Sequence, residues 1–159
     1  MLAKSDPDIT WVSLKMEIKN RSASFEFFIE DKFDAGMMLT GTEVKALRDG
    51  RANFNDSYCL LDHGALYIKG LHISPYEFGS YANHNPTRER KLLLHKKELL
   101  KIAQKIKEKG LTIIPLKIYF NENGFAKIQI GLGKGKKTHD KRESIKQRES
   151  DREIKRYLK

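Results

Sequence analysis

Two apolar runs, Leu111 to Phe120 and Phe125 to Leu132, are joined by Asn121-Glu122-Asn123-Gly124. Asn-Gly supplies the positive-φ positions of a tight hairpin turn, so these runs are predicted to pair antiparallel. A second hairpin is predicted from Ser57 to Leu61, the turn Asp62-His63-Gly64, and Ala65 to Lys69. Phe25 to Glu30 and Met37 to Thr40 read as further strands, with a turn at Asp34-Ala35-Gly36 between them. The aromatics of Phe25 to Phe28 read as core residues. Val12, Leu14, Met16 and Ile18 alternate with polar residues, as a half-buried strand does. Arg90 to Leu94 fits either a strand or a helix. No series of alternating strands and helices supports a parallel sheet. A small closed or partly closed antiparallel barrel fits best, and an OB-like barrel is one such design.

Two helices accompany the strands. Leu99, Ile102, Ala103 and Ile106 recur at helical spacing within Lys96 to Lys109, and Gly110 follows as a stop. The other face carries Lys97, Lys101, Lys105 and Lys109, which reads equally as a solvated face or a binding face. Thr42 is predicted to cap a short helix over Glu43 to Arg48, ended by Asp49-Gly50.

The chain's formal charge of +10 is unevenly placed. Pro86 to Lys109 holds nine Lys or Arg against three Glu, and Gly131 to Lys159 holds eleven against five acids. Each segment is therefore net +6, and the remainder is slightly acidic. That distribution points to a polyanionic partner. After Gly133 the only aliphatic or aromatic residues are Ile145, Ile154, Tyr157 and Leu158. So few cannot offset an ordering cost of roughly 1–2 kcal/mol per residue. Residues 134–159 are thus expected to form a basic C-terminal tail, disordered when free and helical on a partner. Residues 20–133 are expected to form the barrel, and 1–19 a leader or possible strand.

Catalytic and metal-binding patterns are missing. Cys59 is the only cysteine, which excludes an internal disulfide and a Cys-based zinc site. His63, His72, His84, His95 and His139 are scattered without ligand spacing. Gly131 to Thr138 lacks the spacing of a phosphate loop. Its glycines suit either close approach to a phosphate chain or a flexible linker. Charges interrupt Met1 to Asn20, so no signal peptide is expected. No catalytic residue, metal site or cofactor is expected, nor any membrane association, and a cytoplasmic location is.

Several motifs together carry a resemblance. They are Asn20 with Phe28-Ile29-Glu30, Phe33-Asp34-Ala35-Gly36, and Gly41-Thr-Glu-Val-Lys-Ala-Leu-Arg48. Asn53 with Asp56-Ser57-Tyr58, Asn85 to Lys96, and Gly133-Lys-Gly-Lys-Lys-Thr-His-Asp-Lys-Arg142 complete the set. In this order and spacing the chain, from about Asn20 onward, resembles the SmpB (SsrA-binding, small protein B) family.

The resemblance implies an OB-type antiparallel β-barrel with a basic tail, and a bacterial factor that binds tmRNA in trans-translation. It implies delivery of alanyl-tmRNA to stalled ribosomes, with elongation factor Tu and GTP as companions. The free protein is expected to be a monomer. On this resemblance Asn20, Asp34, Glu43 and Leu93 face tmRNA. The family often has Glu at position 34. For Leu93 plain core packing reads as well, and for Glu43 a helix N-terminal charge does. Arg21, Lys45, Arg48, Arg88, Arg90, Lys91, Lys134, Lys136 and Lys137 are expected as RNA partners beside them. His139, Asp140, Lys141 and Arg142 are placed near the ribosomal decoding centre. Arg148, Arg152, Ile154, Lys155, Arg156 and Lys159 are placed in the message channel. The family tail often carries Trp near the place of Ser150, and a different apolar pair at Tyr157 and Leu158. A ribosome-associated or generic OB-fold RNA-binding protein without a tmRNA role is the alternative.

Overall fold

The predicted hairpin forms across Asn121–Gly124, where only Gly124 takes a positive φ, of 79°, and the rest of one large sheet is built outward from it. The computed structural model describes residues 16–158. In chain order they form β1 (Glu17–Lys19), α1 (Ala23–Glu26), β2 (Phe27–Met37), α2 (Gly41–Arg48), β3 (Ala52–Asn53), β4 (Tyr58–Asp62), β5 (Ala65–Lys69) and β6 (His72–Ile73). A 3-10 turn at Ser80–Ala82, β7 (Arg90–Leu93), α3 (Lys96–Lys109), β8 (Thr112–Phe120), β9 (Ala126–Gly135) and α4 (Thr138–Tyr157) follow. The readings at Val12, Leu14 and Lys159 lie outside the described residues.

Seven strands pair in the order β1-β8-β9-β2-β7-β5-β4, every pairing antiparallel. The sheet curls until β4 packs beside β8, which gives the OB-type barrel. β3 and β6 form a separate two-stranded ribbon. Ala35, Leu66, Ile68, Leu92, Ile118, Ile128, Ile130 and Leu132 point inward and are buried. α3 closes one end, with Ile102 buried and Leu99 and Ile106 packed against the core. Cys59 lies in this core, where burial pushes its thiol up to about 12. No helix among the described residues is long and apolar enough to cross a membrane.

Several sequence expectations change. Thr40, not Thr42, caps α2, which starts at Gly41. β2 runs straight through Asp34-Ala35-Gly36, because all three residues pair with β9. Phe25 falls in and beside α1 rather than in a strand, and Phe28 is 52% exposed. The aromatics of that run are therefore not core residues. Finally, β9 continues to Gly135, so Gly131 and Gly133 are strand residues and not a flexible linker. A Cβ on Gly133 would lie 2.3 Å from the Phe28 carbonyl oxygen. Only glycine lets β9 approach β2 that closely.

Where disorder was expected for the free tail, the structure has a 20-residue helix, α4. The segment is rich in helix formers and lacks Pro. The Lys137 amide donates to Asp140 Oδ2 at 3.3 Å, which satisfies one of the unpaired donors at the helix start. No residue of α4 is buried.

Candidate nucleic-acid interface

A buried ion cluster fixes α2 against the connection that leads into β7. Glu43 and Arg90 are both 0% exposed. Arg90 Nε donates to Glu43 Oε1 at 2.7 Å, and Arg88 Nη2 donates to Oε2 at 2.8 Å. The Thr40 amide donates to Oε2 at 2.8 Å, closing the helix N-terminus. Arg90 also donates to the carbonyls of Leu71 at 2.7 Å and Pro86 at 3.1 Å. Burial pushes the Glu43 carboxyl up, but bonds from Arg88, Thr40 and Arg90 outweigh it and hold the group at about 2. Glu43 and Arg90 were expected on the RNA-facing surface. Both are instead enclosed, and each completes the other's charge. Arg88 is half-buried and bound to Glu43, so only part of it faces solvent.

The outward face of the sheet collects two rows of side chains. One row runs Glu17, Tyr119, Lys127, Gly36 and Leu93 across β1, β8, β9, β2 and β7. The other runs Lys19, Lys117, Gln129 and Asp34. Strand register thus places Asp34 and Leu93, far apart in sequence, on one surface. Leu93 is 49% exposed, which excludes plain core packing. Asp34 accepts a bond from the Tyr119 hydroxyl at 2.9 Å. Burial, and then that bond to Asp34, push the Tyr119 phenol up to about 12. Gly36 keeps this surface open: a Cβ there would meet Leu93 Cβ at 3.3 Å. Sequence reasoning missed Lys19, Lys117, Tyr119, Lys127 and Gln129, since only register brings them beside Asp34.

Asn20 serves the fold. Its Nδ2 donates to the Pro115 carbonyl at 2.8 Å, and its Oδ1 accepts from Ser22 Oγ at 2.9 Å. It thereby anchors the start of α1 to the irregular part of β8. Arg21, Lys45, Arg48 and Lys91 are exposed. The lysine stripe of α3 folds partly back on β2. Lys105 pairs with Asp31, Lys109 with Glu30 at 3.6 Å, and Lys101 lies over the Phe33 ring.

A second basic surface starts where β9 becomes α4. Lys134 and Lys137 are exposed, whereas Lys136 is an elbow. Lys136 Nζ donates to the Ser24 carbonyl at 3.0 Å and to Ser144 Oγ at 2.8 Å, and it lies 4.8 Å from the Phe28 ring centroid. Arg148 donates to Ser24 Oγ at 2.8 Å and stacks over Phe25. Of the residues expected at the decoding centre, His139 and Arg142 are exposed, Lys141 is half-buried and Asp140 caps the helix. His139, Asp140 and Glu143 bring ligand atoms within 4.8 Å of one another at this exposed start, where capping accounts for Asp140. Arg152, Ile154, Lys155 and Arg156 are exposed along the outer turns of α4.

A curled antiparallel barrel with a polar, lysine-bearing sheet face and a basic appended helix is the layout of a nucleic-acid-binding β-barrel protein. Comparison with known proteins narrows this class. The family model described as SmpB protein matches residues 17–159. An SsrA-binding protein of Geobacter sulfurreducens is 53% identical over 140 residues, covering 88% of this chain and 91% of its own. One from Moorella thermoacetica is 52% identical over 145 residues, covering 91% and 94%. A chain of the solved structure described as "tmRNA-SmpB: a journey to the center of the bacterial ribosome" superposes with TM-score 0.66 at 48% identity. That match covers 81% of this chain and 94% of the solved one. The chain belongs to the SmpB protein family.

Proposed function

We propose that this protein binds tmRNA, also called SsrA RNA, and acts with it in trans-translation on stalled bacterial ribosomes. The observation that carries this reading is the 48% identical chain solved in a tmRNA-SmpB assembly at the ribosome, matched over 81% of this sequence. The face bearing Asp34, Lys127 and Leu93 suits the tRNA-like part of that RNA. Asp34 cannot pair with phosphate, but its carboxylate can accept from base amino groups and it orients Tyr119. Lys19, Lys45, Lys91 and Lys127 supply phosphate contacts. Recognition of this kind rests on shape, phosphates and splayed loop bases rather than on groove edges.

The second basic surface has a separate task. A stalled ribosome offers an empty decoding centre and an empty message channel lined by RNA phosphates. α4 presents His139 and Arg142 at its start and Arg152, Lys155 and Arg156 beyond. It is proportioned to enter that space: 20 helical residues reach about 30 Å. A full-length message would occlude the same site, which gives selectivity for stalled ribosomes. Elongation factor Tu with GTP joins through the aminoacylated RNA. The protein acts in the cytoplasm as a binding adaptor, without catalysis or cofactor.

The test is a titration of the full chain with the tRNA-like part of tmRNA and with an unrelated stem-loop over a salt series. Selective binding is expected, with log K falling against log salt by about 0.7–0.9 per phosphate contact. Equal affinity for both RNAs refutes the proposal in favour of a generic OB-fold RNA binder.

A further inference from the structure

Residues 76–83 form a loop whose neck is closed by one side chain. The Tyr76 amide donates to Asn83 Oδ1 at 3.0 Å, and Asn83 Nδ2 donates back to the Tyr76 carbonyl at 2.7 Å. A Cβ on Gly79 would lie 2.6 Å from Asn83 Nδ2, and Ser80 holds a φ of 51°. The tip therefore has one tight shape. Its far end is fastened to the barrel through His84. His84 Nε2 donates to the Ile73 carbonyl at 2.9 Å, and Nδ1 shares a hydrogen bond with Thr42 Oγ1 at 2.9 Å. Thr42 is on α2. Arg88 and Arg90, a few residues on, reach Glu43 on the same helix. Loop and helix are thus one body, and the buried ion cluster is its foundation.

This fastened loop points its rings into water. Phe78 is 78% exposed and Tyr81 is 99% exposed. Tyr76 lies between loop and helix: its ring meets Phe78 edge-on at 5.7 Å, and Lys45 Nζ sits 5.3 Å from its centroid. Two largely exposed rings are thus held beside a helix that carries Lys45 against Tyr76 and, one turn further on, Arg48 over the Phe120 ring. Stacking planes flanked by cations are what unpaired bases on a phosphate chain require. A protein surface would also cover the rings, but Glu77, the loop's own charge, is paired with Arg51 at 3.4 Å, and the neighbouring cations Lys45 and Arg48 favour a polyanion.

We propose that Phe78 and Tyr81 form a base-stacking site for unpaired RNA nucleotides, with Lys45 taking an adjoining phosphate. The inference deepens the tmRNA reading and rests on it for the identity of the RNA. The site extends the interface from the sheet face onto the α2 side. Glu43 then serves RNA binding without touching RNA, by holding this loop to α2.

The test uses the full chain with Phe78→Ala and Tyr81→Ala together, titrated with the tRNA-like part of tmRNA over a salt series. Stacking on an aromatic ring is worth about 1–3 kcal/mol per base, or about 5- to 150-fold in affinity. A loss of at least about fivefold is expected, with the salt slope unchanged because the rings displace no counterions. The pair Phe78→Tyr with Tyr81→Phe is expected to restore affinity. Lys45→Gln, by contrast, is expected to lower the slope by about 0.7–0.9. Both rings are exposed, so the urea midpoint reports whether the variants stay folded. An unchanged affinity in a parent that selects tmRNA overturns the stacking site alone. A parent that fails to select tmRNA overturns the wider reading. Loss of tagging at unchanged tmRNA affinity assigns the rings to another partner and also overturns the inference.

Discussion

Replacing Glu43 by Gln keeps the shape of the side chain and removes its charge. Arg90, 0% exposed, would retain its bonds to the Leu71 and Pro86 carbonyls but lose its counter-ion. Removing one partner of a buried pair costs about 3–5 kcal/mol, because the remaining charge stays desolvated. The pKa gives a second estimate. The carboxyl titrates at about 2 in the fold against an ordinary 4.5. At 1.36 kcal/mol per unit the difference is worth about 3 kcal/mol. Both figures are a large part of the total stability of a domain this size, about 5–15 kcal/mol. Urea unfolding followed by circular dichroism should show the midpoint of Glu43→Gln about 1–3 M below the parent's.

The pH dependence sharpens this test. The folded pKa is depressed, so the stabilisation is fully present above about 4.5 and is lost as pH falls through about 2. The gap between parent and variant should therefore narrow across that window. Asp31, held low by its bond from Lys105, and Glu17, held low by Lys117, titrate in both proteins and cancel in the difference. A loss below about 1 kcal/mol, or a gap independent of pH between 5 and 2, would refute the reasoning.

Phe25→Leu removes the ring under Arg148 while keeping an apolar side chain. Hydrogen exchange should then quicken in α4 and leave the barrel strands unchanged; equal exchange in both proteins would remove the role given to α1 in seating the tail. Asp34→Asn removes the charge facing the Tyr119 phenol but not its burial. An ultraviolet difference titration should find Tyr119 below its present value of about 12, and an unshifted phenol would break the link between the two residues.

How much of this was legible in the sequence follows from the range of each interaction. Lys96–Lys109 and the turns at His63-Gly64 and Asn123-Gly124 are local, so apolar period and turn residues located them. Asp34-Ala35-Gly36 misled because its composition is that of a turn, whereas pairing with Gln129, Ile128 and Lys127 holds it extended. The Glu43–Arg90 pair spans 47 residues and the Asp34–Tyr119 pair 85, and no local pattern signals either. Family resemblance pointed to Asp34 and Leu93, and the strand register then placed them on one face. The same resemblance marked Glu43 and Arg90, but burial gives them the task of holding α2 to the loop. The tail's helical composition was visible; its seat on Ser24 and Phe25 was not, since that contact spans 124 residues.

The division of labour between barrel and tail is the central claim, and deletion of residues 140–159 tests it most directly. The truncated protein should bind tmRNA with the affinity of the full chain and fail to support tagging on stalled ribosomes. Weakened tmRNA binding, or tagging that persists without the tail, would contradict the account.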